Sequence, residues 1–180
     1  MTTSTKVTTG SWLGDAFAHN LWATERLIDE CATLTPEQLD TEAPGTYGSI
    51  IRTLRHLVAS DRWYLSFYPD AHALAPLDDE APLTLAELRT EIAASAEAWT
   101  KVLATRTDPE ADVPESGEGW EFHAPLGFRL TQVVHHGTDH RSQVCTILTL
   151  LGRTPPEIDV WAYGDVTGRT RSIVKGRPAE

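Results

Sequence analysis

The chain has 180 residues, of which 41% are hydrophobic and 23% are charged, as expected for one globular domain with its own core. Its formal net charge of −11 at pH 7 argues against nucleic acid and anionic membranes as partners, because both attract basic surfaces. No run approaches the roughly 18 apolar residues of a membrane span, and the N-terminal MTTSTKVTTG lacks the apolar segment of a signal peptide. We therefore expect a cytoplasmic protein.

Helical periodicity predicts the first two helices. The first covers about residues 11–34, where apolar side chains recur every three or four positions. Thr35-Pro36 predicts a break after it, and Pro44-Gly45 predicts a loop. The second helix starts after Ser49, a candidate N-cap, and stops at Pro69. Its core-facing row is Ile50, Leu54, Leu57, Tyr64 and Leu65.

Two more helices are predicted in the second half of the chain. Thr84-Leu-Ala-Glu87 has the form of a capping box and opens a third helix that reaches about Arg106. The following stretch is rich in proline, glycine and acidic residues, and Trp120 to His123 predicts a short extended segment within it. The fourth helix spans about residues 126–151, with Gly152 as the residue that ends it.

These four helices predict the fold class, an all-α four-helix bundle with long loops, because four helices of about 20 residues pack most simply in this way. The bundle domain is predicted over residues 1–163. A short C-terminal extension, residues 164–180, either packs back onto the bundle or frays. Cys31 and Cys145 form no CxxC pair, so we expect reduced, buried thiols.

Two of the seven histidines, His136 and His140, stand four residues apart in the fourth helix. Residues at this spacing lie about 40° apart on one helix face, so both imidazoles can reach one ion. An isolated pair of this kind is more often an ordinary feature of a helix surface. Here the pair borders a predicted core stripe formed by Val133, Gly137, Val144, Ile147 and Leu151.

His56 has an equivalent position, at the edge of the core stripe of the second helix. A metal site inside a bundle needs ligands from facing helices. Three imidazoles also leave coordination positions for water or substrate, which is typical of catalytic sites. We therefore predict one divalent-metal site formed by His56, His136 and His140.

Other polar residues near this site are harder to assign. His135 lies about 100° around the helix from His136 and is not expected to be a ligand. Asp61 faces the predicted core, where an unpaired carboxylate is costly, and Arg141 is its expected partner. The residues that act in catalysis stay unassigned. Three side chains are candidates for binding a cofactor or substrate: Ser60, Trp63 and Gln143.

The segment FRLTQVVHHGTDHRSQVCTILTLLGRTPPEIDV closely resembles the last bundle helix of the DinB-like superfamily. This superfamily includes YfiT-like proteins, thiol-dependent S-transferases and mycothiol-dependent maleylpyruvate isomerase-like proteins. The match is a histidine, His136, followed after three residues by His140-Arg-Ser-Gln. GSIIRTLRHLVASDRWYL resembles the second helix of the family, with His56 at the position of a metal ligand. The resemblance covers about residues 10–163.

The resemblance implies a DinB/YfiT-like bundle in which three histidines bind zinc, nickel or iron, and it implies a homodimer. The chain departs from the pattern at Ser142, where glycine or alanine is usual, and at Gln132, where an additional histidine is common. Members of one fold family differ in function, so the resemblance does not imply one reaction.

Characterised relatives lead us to expect a thiol-dependent S-transferase or isomerase. In such an enzyme the metal would activate a low-molecular-weight thiol, such as mycothiol or bacillithiol, towards a small electrophile. One alternative is a hydrolase that uses metal-bound water. Another is a non-enzymatic, stress-related protein whose metal stabilises the bundle. A metal that is open to solvent would favour an enzyme, and one enclosed by protein ligands would favour a structural role.

A second apolar strip on the fourth helix bears on oligomeric state. It consists of Val134, Cys145 and Leu148 and lies away from the histidine edge. A bundle helix buries one stripe in its own core, so a second stripe needs another surface. We expect either a homodimer contact or packing against the C-terminal segment around Trp161.

Overall fold

Four long helices form a bundle in the computed structural model, which describes residues 11–68, 74–105 and 108–173. They are α1 (Trp12–Cys31), α3 (Ile50–Leu65), α4 (Leu85–Ala104) and α5 (Leu126–Leu150). The all-α four-helix bundle that the sequence predicts is confirmed. None of the described helices is long and apolar enough to cross a membrane. Shorter elements join the long helices: α2 (Pro36–Leu39), β1 (Asp112–Gly117), β2 (Trp120–Pro125) and α6 (Val160–Thr167).

The helix ends follow local capping chemistry. Thr84 and Glu87 form the predicted capping box at the start of α4, and Gly152 adopts φ = 73° after α5, as a helix-ending glycine does. The break predicted at Thr35-Pro36 is instead the start of α2. A second capping box explains this difference, because Thr35 and Gln38 bond each other's backbone N–H groups.

A β-hairpin connects α4 to α5. Its strands pair antiparallel with Gly117 opposite Trp120, and Gly119 in the turn has φ = 80°, a value that glycine adopts at little cost. The predicted extended segment at Trp120 to His123 is confirmed as part of β2. Its partner β1 was not predicted, because DVPESG contains residues that rarely occur in strands. The predicted helix end at Arg106 lies outside the described residues.

The core is filled by apolar side chains from all four long helices, and Trp99 of α4 is the largest fully buried one among the described residues. Trp99 is fully buried, and its ring centroid is 4.7 Å from that of Phe17 on α1. The stripes predicted for the second and fourth helices face this core. The largest fully buried residues include Phe17, Leu27, Ile28, Ile50, Leu54, Leu65, Leu88, Ile92, Trp99, Ile147 and Leu148.

Asp61 is buried in this apolar core, as predicted, and is only 4% exposed. Its Oδ1 accepts a hydrogen bond of 2.9 Å from Trp99 Nε1. Burial raises the pKa of Asp61 to about 6, although the hydrogen bond from Trp99 and the nearby Ser95 hydroxyl favour the charged form. The prediction that Arg141 is its direct partner is wrong, because the indole of Trp99 donates the hydrogen bond.

Arg141 instead joins α5 to α1. Its Nη1 donates to Asn20 Oδ1 at 2.6 Å, to the Asn20 backbone oxygen at 3.2 Å and to Thr24 Oγ1 at 3.2 Å. Gly137 permits this approach, since a Cβ at residue 137 would clash with the Asn20 amide. The two helices are therefore held together by a buried, charge-assisted hydrogen-bond cluster.

The C-terminal helix α6 packs on α1. The Tyr163 ring lies 5.5 Å from that of Trp22, and the His19 Nε2 atom is 2.8 Å from the Ile158 backbone oxygen. This helix contains residue 163, where the boundary between the domain and its extension is predicted. Residues 174–180 of that extension lie outside the described residues, and the boundary stays a prediction.

Part of the apolar strip predicted on the fourth helix is buried in the core of the bundle. Leu148 is fully buried in the bundle, and Val134 and Cys145 are half-buried against the core. Trp161 itself is 75% exposed, whereas Tyr163 of the same segment is buried in the core. Packing of the strip against the segment around Trp161 stays a prediction. The homodimer stays a prediction.

Candidate metal centre

The three predicted ligand residues meet where α3 packs on α5. The candidate ligand atoms of His56, His136 and His140 all lie within 4.8 Å of one another, and the Nε2 atoms of His56 and His136 are 3.2 Å apart. The rings of His136 and His140 stand edge to face, with centroids 4.4 Å apart. All three side chains are half-buried. The four-residue spacing of His136 and His140 within α5, and the packing of α3 on α5, therefore bring the three histidines into one cluster.

The Nδ1 atoms of two of these histidines are hydrogen-bonded to side-chain oxygens. His56 Nδ1 is 3.0 Å from Asp79 Oδ2, and His140 Nδ1 is 3.1 Å from Gln143 Oε1. Because both acceptors are oxygens, Nδ1 carries the hydrogen and Nε2 keeps its lone pair. This is the arrangement in which histidine ligands bind metals in proteins.

Tyr47, which precedes α3, connects these acceptors. Its ring stacks on that of His56 with centroids 3.9 Å apart and planes 17° apart. Its hydroxyl donates to Asp79 Oδ2 at 2.9 Å, and its backbone N–H donates to Gln143 Oε1 at 2.9 Å. Each of the two acceptor oxygens is therefore shared between Tyr47 and one histidine.

Sequence reasoning did not find Tyr47 or Asp79. The turn PGTYGS matched the family resemblance, but no spacing rule assigned the tyrosine a role. Asp79 lies in an acidic loop with Asp78 and Glu80, and nothing in the sequence separates it from these neighbours.

Two of the three histidines, His136 and His140, are held in the neutral form that binds metal. Burial, together with the neighbouring His140 and His56, lowers the pKa of His136 to about 4. Burial also lowers the pKa of His140. Neutral imidazoles suit zinc, nickel and iron. The donor set therefore fits a divalent ion, and among the described residues no fourth side chain joins the cluster.

The candidate binding residues have different surroundings. Gln143 Oε1 accepts hydrogen bonds from His140 and from the backbone of Tyr47. Ser60 is half-buried on α3. Trp63 is 37% exposed and packs edge to face on Phe67, with centroids 4.8 Å apart. Their assignment to a cofactor or substrate stays a prediction.

The bundle and its cluster of three histidines define a class of helical proteins whose core edge can hold a metal ion. The model of the DinB family matches residues 1–173, and the chain belongs to that family. A DinB-like protein from Bacillus cereus ATCC 10987 has the same fold, with a TM-score of 0.54 and 20% identity over 79% of this chain and 94% of that chain. No curated protein matches the chain.

Proposed function

We propose that this protein is a divalent-metal-dependent enzyme that uses a low-molecular-weight thiol, either to transfer it to a small electrophile or to isomerise that electrophile. Zinc, nickel or iron would be held by His56, His136 and His140, with mycothiol or bacillithiol as the thiol. The observation that carries the proposal is a cluster of three imidazoles without a fourth protein ligand among the described residues.

The exposure of the cluster favours an enzyme over a structural metal site. A structural site is closed by four protein ligands, whereas a catalytic site keeps a position for water or substrate. The His56 side chain is 20% exposed, and the other two histidines are also half-buried. The cluster is therefore partly exposed to solvent, which supports a catalytic site.

The cysteines support a nucleophile that comes from outside the chain. Burial raises the pKa of Cys31 to about 12 and also raises the pKa of Cys145. Both thiols are therefore protonated at neutral pH, and a protonated thiol is a poor nucleophile. A transferred thiol must then be supplied as a substrate.

A divalent ion bound here would act as a Lewis acid that lowers the pKa of the thiol. The protein supplies orientation: Asp79 and Gln143 fix the tautomers and ring planes of two histidines, and Tyr47 covers one face of His56. We assign Ser60 and Trp63, which follow His56 along α3, to the binding of the thiol or the electrophile.

The test is a transfer assay with protein loaded with zinc, nickel or ferrous iron. Each preparation is incubated with mycothiol or bacillithiol and monochlorobimane, and the adduct is measured by mass spectrometry. We expect adduct formation that His140→Ala abolishes. His135→Ala is the matched control, because His135 is an exposed neighbour on the same helix. Metal-loaded protein that forms no adduct with either thiol would contradict the transfer reaction.

A chelator experiment separates a catalytic from a structural metal. The large core around Trp99 packs without the histidines, so the metal-free protein should stay folded and lose only the free energy of metal binding to the native state. Circular dichroism at 25 °C measures this directly. Loss of most of the helical signal on chelation would instead indicate a structural metal.

A further inference from the structure

A small cavity lies beside the three-histidine cluster, between α1, α3 and α5. Its volume is about 10 Å³, close to the space that one water molecule needs. Polar side chains from all three helices line it: Asn20, Asp61, Tyr64 and His136. A cavity of this size and polarity is suited to one bound water, because such a water needs two to four polar partners.

Two of the lining residues have a polar atom without a partner. Asp61 is 4% exposed, and its Oδ2 atom is buried and forms no hydrogen bond. His136 uses Nε2 towards His56, and within residues 11–68, 74–105 and 108–173 no hydrogen bond forms at its Nδ1 atom. The other two histidines have Nδ1 held by Asp79 and Gln143, so His136 is the exception.

We propose that one water molecule binds in this cavity and connects His136 Nδ1 to Asp61 Oδ2, which makes Asp61 a positioning residue of the metal centre. The Nδ1–H group donates to the water, and the water donates to the carboxyl oxygen. Asn20 supplies the third partner, since its Oδ1 already accepts from Arg141 and its amide N–H groups are left to donate. The inference rests on the proposed metal-binding function.

This water-mediated link would give His136 an acceptor at Nδ1, as Asp79 and Gln143 do for the other two histidines. Acceptors that orient a histidine ligand also raise its basicity, and their loss typically weakens metal binding. The hydrogen bond from Trp99 needs only one acceptor, which is Asp61 Oδ1. The second oxygen of the carboxyl forms no hydrogen bond, so it can accept one from the proposed water.

The test measures metal affinity in the full chain. Zn²⁺ binding is followed by competition with a chromophoric chelator, and Co²⁺ binding by its visible absorption spectrum, which reports ligand geometry. Asp61→Leu should weaken Zn²⁺ binding by about 10–100-fold and change the Co²⁺ spectrum. Asp61→Asn, which keeps the side-chain size and can still bond a water, should lose affinity by a smaller factor.

The matched control is Ile92→Val. Ile92 is 1% exposed in the same core but lies on α4, so its loss of a methyl group should lower stability without changing the Zn²⁺ affinity or the Co²⁺ spectrum. If Asp61→Leu fails to fold, Asp61→Asn decides by the same two measurements.

Wild-type affinity and an unchanged Co²⁺ spectrum in the folded Asp61 variants would overturn the positioning role. An equal loss of affinity in Ile92→Val would also overturn it, because the effect would then follow from stability alone. If the wild-type protein itself bound neither Zn²⁺ nor Co²⁺, the metal centre would be refuted, and the inference with it. The behaviour of the wild type thus separates the two failures.

Discussion

Replacing Asp61 by asparagine should change how the stability of the protein depends on pH. Burial raises the pKa of Asp61 from 3.8 to about 6 in the folded protein. The folded state therefore binds this proton more tightly than the unfolded chain does. The resulting stabilisation is complete below about pH 3.8 and is lost as the pH rises through about 6. At about 1.36 kcal/mol per pKa unit, this loss is about 3 kcal/mol.

Asparagine keeps the acceptor for Trp99 but carries no charge. Relative to wild type, the free energy of unfolding of Asp61→Asn should therefore rise by about 2.5 kcal/mol between about pH 4 and pH 7. His136 contributes a dependence of opposite sign, because its pKa is lowered to about 4 in the folded protein. That contribution is present in both proteins and cancels in the difference, apart from the part that the proposed water between Asp61 and His136 transmits.

Urea denaturation followed by circular dichroism measures this difference, with chelator present so that metal binding does not contribute. Asp40→Asn is the matched control. Asp40 is exposed, and among the described residues its carboxylate forms no hydrogen bond or ion pair, so this variant should follow the wild-type curve. A difference between Asp61→Asn and wild type that stays constant from about pH 4 to pH 7 would refute the reasoning.

Three further outcomes are expected. Asp79→Asn should weaken Zn²⁺ binding by about 10-fold or more, because His56 loses its charged acceptor; Glu80→Gln in the same loop should not, and equal effects would contradict this role. Gly152→Ala should cost about 1 kcal/mol in thermal unfolding, since φ is 73° there, and an unchanged melting temperature would contradict it. Light scattering at micromolar concentration should give twice the 19.8 kDa chain mass; a monomer mass would exclude the predicted homodimer.

The bundle and the three histidines were predictable because both depend on regular helical spacing. The interval between His136 and His140 fixes their relative direction, and the edge position of His56 on its helix indicates the same interface. This information is local in sequence and independent of loop conformation.

The supporting residues depend on tertiary contacts that spacing does not determine. Tyr47 and Asp79 lie in different loops, on either side of α3, and meet only after the chain has folded. Asp61 was correctly placed in the core, since periodicity gives the direction of a side chain. The predicted partner, Arg141, was wrong because periodicity does not say which residue of a facing helix lies level with Asp61. That residue is Trp99 of α4.

The sharing of acceptor oxygens by Tyr47 has a consequence for the entropy of ligand binding. The loop before α3 and the loop after it are tied to the histidine rings by the same hydrogen bonds that fix the ring orientations. The conformational freedom of Tyr47 and Asp79 is therefore lost when the chain folds, before any ion arrives. An ion would meet rings already in place, so its binding should require little further ordering of the backbone.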